Sequence, residues 1–172
     1  MFYRSITNKL FKLGLLFEQI THMELSKRDN LLLQLLQKDC RMANADLAEQ
    51  TGMSASACWR RIKAFEEAGI ITRYSVVLDE VSLGLQFRAM VHITLSRHDP
   101  EGSKKFAQAM LNRQEVIECY ATTGREDFSM QVVCEDIAAY NDFLENFLFK
   151  LRVVESVHTN VILHDVKRHG VL

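Results

Sequence analysis

The chain has 172 residues, 48% of them hydrophobic, and a formal net charge of -1. Such a chain can bury a core in one or two small domains and is not a disordered polyanion binder. With no basic excess overall, any contact with nucleic acid has to come from a focused patch.

Residues 1–22, MFYRSITNKLFKLGLLFEQITH, place three cations ahead of or around a short apolar run and one acid at Glu18. The apolar run Leu13 to Phe17 is far short of the ~20 residues a spanning helix needs, and no small-residue cleavage site follows. We therefore expect neither a signal peptide nor a membrane segment, but an extension ahead of a start-like Met23, with a short amphipathic helix through Leu10, Leu13 and Phe17 as an option.

Residues 23–73 carry eight cations and seven acids, and residues 74–172 ten and fourteen. Ser26 and Asp29 have the spacing at which each side chain satisfies a free amide at a helix start, so a first helix is expected over residues 27–38. Asn44 is the expected cap of a short second helix ending at Gly52. In MSASACWRRIKAF, Cys58, Ile62 and Phe65 recur at helical spacing and form a buried stripe, with Ser56, Trp59, Arg60 and Lys63 on the outside. Ser54 is its expected N-cap and Gly69 its stop.

Two short helices joined by a glycine turn are the signature of helix-turn-helix, whose second helix enters the major groove. Three cations without an acid in thirteen residues fit that role, and the DNA-binding candidates are Ser54, Ser56, Trp59, Arg60, Arg61 and Lys63. Arginine and lysine suit phosphates and base edges, and serines at a helix start present hydroxyls and amides. For Trp59 the alternative is packing under the helix, and for Ser54 simple capping. The β-branched IITRYSVVLD reads as a wing or linking strand.

From Leu85 the period becomes two: Phe87, Ala89, Val91, Ile93 and Leu95 alternate with more polar residues. Pro100 is expected to open a helix with Phe106, Ala107, Met110 and Leu111 on one side. Strands VIECYATT and DFSMQVVC follow around Gly124. Next come a helix packing through Ile137, Tyr140, Phe143, Leu144, Phe147 and Leu151, and a last strand over residues 153–163. The order βαββαβ is the ferredoxin-like unit, its sheet covered by helices on one face only. The fold class is therefore α+β: residues 23–73 a winged helix-turn-helix, 74–85 a linker strand and 86–172 the ferredoxin-like domain. The uncovered sheet face suits a subunit interface, and one reading helix per chain favours at least a homodimer.

Cys40, Cys58, Cys119 and Cys134 are scattered, with no CxxC, which points to reduced thiols and the cytoplasm. His92 and His158 fall on strands that neighbour each other in such a sheet, but two histidines alone do not define a metal site, and none is expected. No nucleophile elbow, zincin, phosphate-loop or dinucleotide motif is present, so neither an enzyme nor a cofactor is expected. A ferredoxin-like small-molecule-binding protein that never touches DNA stays open as the alternative.

Taken together, Asp29, LLLQLLQKDCR, LAEQTGMSASACWRRIKAFEEAGII and TGREDFSMQVV resemble the Lrp/AsnC family of transcription regulators, over nearly all of the chain after Met23. Leu31, Leu35 and Cys40 depart from its pattern at packing or turn positions, and Arg125 and Glu126 depart within the GRED turn. The resemblance implies a DNA-binding regulator of even subunit number whose rear domain holds a small amino-acid effector between subunits, near Thr123, Gly124, Arg125 and Asp127. Without the resemblance, that turn reads as a hairpin with glycine supplying positive φ and aspartate a local bond.

Overall fold

The computed structural model describes residues 23–96 and 101–168. The expectations for residues 1–22 and for Pro100 fall outside that range. Two compact units divide between Val76 and Val77, within the stretch expected as linker.

In the first unit, α1 spans Lys27–Lys38, α2 Asn44–Thr51 and α3 Ala55–Glu67. Ser26 caps α1 in a full capping box with Asp29. The cap of α2 is Ala43, without a side-chain bond, so Asn44 is the first helical residue and not the cap. Gly52, at φ 65°, turns the chain from α2 into α3, a conformation that glycine adopts without steric cost. Leu32, Leu35, Leu47, Cys58 and Phe65 form the core, with Ile62 half-buried against it. Leu35 thus earns its apolar side chain by burial. Residues 72–79 run irregularly and pair with no strand, so the apolar character read there as a wing or linking strand is left exposed at Val76, Val77 and Leu78.

The second unit holds β1 (Phe87–Leu95), α4 (Gly102–Met110), β2 (Val116–Ala121), β3 (Phe128–Cys134), α5 (Ile137–Asn146) and β4 (Val154–Val161). The four-stranded sheet is antiparallel in the order β2-β3-β1-β4. Ala89, Val91, Ile93 and Leu95 of β1 and Phe128, Met130 and Val132 of β3 form its inner face, under Phe106 and Met110 of α4 and Tyr140 and Phe143 of α5. The expected α4 stripe is partly wrong: Ala107 and Leu111 are exposed and Ala109 packs inward instead. Ile137, expected to pack, is also exposed.

The other face carries Arg88, Met90, His92 and Thr94 from β1, in register with Val133, Gln131 and Ser129 of β3 and with Asn160, His158 and Ser156 of β4. Among the described residues of this unit, no helix covers it.

Candidate nucleic-acid interface and effector turn

The outer side of α3 is built from its start. The Ser54 hydroxyl accepts from the Ala57 amide at 3.2 Å and lies 3.1 Å from the Ser56 hydroxyl, which fixes both serines at the exposed N-terminus. Trp59 is 56% exposed. It does not pack under the helix. Its indole and Lys63 instead border a hollow of about 270 Å³ also lined by Leu36, Leu47, Ile62 and Tyr74. Arg60 is exposed. Lys63 is exposed beside Glu66, at 3.9 Å, a surface pair too loose to hold the ammonium. Tyr74 donates to Glu66 at 2.8 Å, and burial followed by that bond pushes its phenol up to about 12, so it stays a donor at any working pH.

Arg61 is differently placed. Its Nε donates to Asp29 Oδ1 at 2.6 Å, its Nη2 to Asp29 Oδ2 at 2.9 Å and to the Glu24 carbonyl at 3.3 Å, and the guanidinium lies 5.0 Å from the Phe65 ring centre. Asp29, only 5% exposed, also accepts from the Ser26 amide and hydroxyl at 2.9 and 2.8 Å. The arginine's hydrogen bonds, above all, hold the Asp29 carboxyl below the usual carboxylate range. Counted in sequence as a free cation, Arg61 is in fact spent on joining α3 to the start of α1.

In the second unit, residues 122–127 form the β2–β3 turn. The Thr122 amide donates to the Asp127 carbonyl at 2.9 Å and its hydroxyl to the Glu126 carbonyl at 2.8 Å. Asp127 donates its own amide to Ile93 O at 2.8 Å, and its Oδ2 accepts from the Leu95 amide at 2.7 Å. Thr123, Gly124 and Arg125 are exposed at the tip. Gly124 is not among the positive-φ glycines, and a Cβ there would meet nothing within 4 Å. The turn does not need glycine for its backbone, which corrects the reading of Gly124 as a conformational requirement.

A charge cluster at the start of β1 has no local signature in the sequence. Arg88 Nη1 donates to Asp165 at 2.7 Å, its Nε lies 3.6 Å from Glu80, and Glu80 also accepts from Arg168. The partners are 77 and 88 residues apart, beyond the reach of any local pattern. All four cysteines are free thiols; burial pushes Cys134 up to about 11 and raises Cys119, so neither is a reactive thiolate. No group of three metal-ligating side chains occurs among the described residues, and no described helix is long and apolar enough to cross a membrane.

Residues 25–72 match a winged helix-turn-helix DNA-binding family and residues 88–172 the Lrp/AsnC ligand binding domain. Transcriptional regulator AzlB of Bacillus subtilis is 32% identical over 144 residues, covering 84% of this chain and 92% of that protein. The chain belongs to the Lrp/AsnC family. The leucine-responsive regulatory protein of Rhizobium meliloti is 33% identical over 148 residues, covering 86% of this chain and 95% of its own. A Neisseria meningitidis transcriptional regulator solved in complex with L-Met superposes with a TM-score of 0.83 at 30% identity, covering 87% of this chain and 96% of that one. Escherichia coli AsnC gives 0.79 at 25% identity, covering 87% and 99%. Membership in the Lrp/AsnC family makes the α1–α3 unit a DNA-binding domain and the ferredoxin-like unit a ligand-binding one. The relatives are transcription regulators.

Proposed function

We propose that the chain is a cytoplasmic, non-enzymatic transcription regulator that reads double-stranded DNA with α3, and whose binding or assembly responds to a small amino-acid-type effector. The observation that carries the DNA reading is the division of labour on α3: Arg61 locks the helix in place, while Arg60, Lys63, Trp59, Ser54 and Ser56 stand on its exposed side. A fixed helix with exposed cations along one face contacts phosphates and base edges without having to order its scaffold. A mobility-shift titration on the chain's own promoter region tests it. Arg60→Ala with Lys63→Ala should weaken the shift at least tenfold while the fold is retained, and an unchanged affinity would remove α3 as the reader.

The effector reading rests on the 122–127 turn and on the relative solved with L-Met. A zwitterion needs donors for its carboxylate and an acceptor for its ammonium, and Thr123, Gly124, Arg125 and Asp127 offer a hydroxyl, backbone amides, a guanidinium and a carboxylate within five residues. Asp127 Oδ2 is already engaged by Leu95, so the ammonium would take the remaining oxygen. The Arg125 guanidinium favours a polar or acidic side chain over a branched aliphatic one. Calorimetric screening of the common amino acids identifies the ligand, and a ligand whose affinity ignores Asp127 places the pocket elsewhere.

Assembly completes the reading. The half-polar, helix-free face of the sheet is the surface through which two copies pair, and pairs associate further into larger even-numbered forms.

A further inference from the structure

His92 and His158 are direct register partners in the antiparallel β1–β4 pair. Both project from the face that no helix of the unit covers, and residues so paired hold their Cβ atoms roughly 4.5–5.5 Å apart. Two imidazoles at that separation can converge on one ion at ordinary metal–nitrogen lengths of about 2.0–2.1 Å. His158 is exposed and His92 half-exposed, so an ion can enter from the open side. On the other side of His92 its register partner is Ser129, an oxygen-bearing side chain suited to orient an imidazole through its second nitrogen.

No third histidine, cysteine or carboxylate joins the pair among the described residues. Two imidazoles leave a tetrahedral ion half-coordinated, so the site as it stands in one chain is incomplete. A second copy packed on the same face brings an identical pair.

We propose that His92 and His158 are half of a site for a borderline divalent transition ion of the zinc class, completed by the same two histidines of a second copy of this chain. The donor set selects the ion: imidazole nitrogens suit zinc, nickel and copper, whereas calcium and magnesium take oxygen ligands. An ion held this way stabilises the paired form, because its full coordination exists only there. The proposal rests on assembly through the open sheet face, and it adds a metal input to the amino-acid one.

The test uses the full-length chain, untagged and stripped with a chelator, titrated with Zn²⁺ by calorimetry and followed by light scattering. One Zn²⁺ per two chains is expected, with a rise in the paired fraction and no response to Mg²⁺. His158→Gln, at an exposed position on an edge strand, should weaken Zn²⁺ binding at least tenfold with an unchanged circular dichroism spectrum, and adding His92→Asn should bring it to background. Co²⁺ in place of Zn²⁺ should show the intense visible bands of four-coordinate geometry, absent in the double variant. Equal Zn²⁺ binding by the wild type and the double variant would overturn the site. So would one Zn²⁺ per chain without any change in assembly. Failure of the underlying interface is distinguishable: the chain would then stay monomeric with or without Zn²⁺, whereas a site failure alone leaves a dimer indifferent to the ion.

Discussion

Arg61 shows how one cation on a basic helix differs from its neighbours by what it touches. Removing it strands a carboxylate that is 5% exposed and already held by Ser26, and leaving a buried polar group without its partner costs about 1–3 kcal/mol. Arg61→Ala should therefore lower the thermal midpoint of the helix-turn-helix, whereas Arg60→Ala should leave it alone and weaken DNA binding. A double-mutant cycle with Asp29→Ala measures the coupling directly, and a coupling near zero would return Arg61 to the list of DNA contacts. The same pair sets a pH dependence. A carboxyl held below its unfolded value adds stability that is fully present above the unfolded pKa and is lost as pH falls through the folded one. Urea midpoints should thus drop from neutral pH to below about pH 4, and Asp29→Asn should flatten that slope. Asp127 calls for a matching subtlety. Because its Oδ2 holds the Leu95 amide, alanine would loosen the end of β1 and confuse folding with binding. Asp127→Asn keeps an acceptor and removes the charge, so a loss of amino-acid affinity in that variant, with an unchanged melting midpoint, isolates the ammonium contact.

At the scale of elements, α3 depends on its first turn. Ser54→Ala removes the bond to the Ala57 amide and should destabilise the domain by about 1 kcal/mol, the usual value of such a cap. It should also weaken DNA binding beyond that figure, since the same hydroxyls flank the reading face. The exposed cations give a separate signature: each phosphate contact contributes about 0.9 to the salt slope, so Arg60→Ala with Lys63→Ala should reduce it by roughly 1.8 if both touch phosphate. These features were legible because caps and helical periods act over three or four residues, and Ser26, Asp29, Ser54 and Gly52 announce their helices locally. The βαββαβ order was legible for the same reason, alternation and stripe each being local. What was not legible lies at longer range. Arg61 and Asp29 sit 32 residues apart, and a cation with a distant partner reads in sequence like a free one. Apolarity alone points Ala107 and Leu111 inward, yet the turn of α4 that meets the sheet presents Phe106, Ala109 and Met110. Gly124 looked like a turn glycine by type, and only its backbone shows that the turn makes no such demand.

At the scale of the molecule, each unit lacks something that a second copy supplies. One reading helix per chain engages one half-site, and joining two raises apparent affinity by about 10²–10⁴ without any new contact. The sheet leaves a whole face free of helices, with Met90 half-buried at its middle between Gln131 and Asn160. The stretch carrying Val77, Leu78, Val81 and Leu83 leaves four large apolar side chains exposed close together in sequence, a grouping that suits a contact surface. Light scattering at micromolar concentration should therefore give an even number of subunits. Met90→Lys tests the face itself: a charge at the centre of a desolvated interface is strongly unfavourable, but on a free sheet face it is merely solvated. The variant should keep its secondary structure and melt normally as a single chain, yet run as a monomer and lose at least tenfold in affinity for a two-half-site fragment while binding a single half-site as before. If Met90→Lys assembles like the wild type, the pairing surface is not this face, and the apolar 77–83 stretch becomes the surface to mutate next.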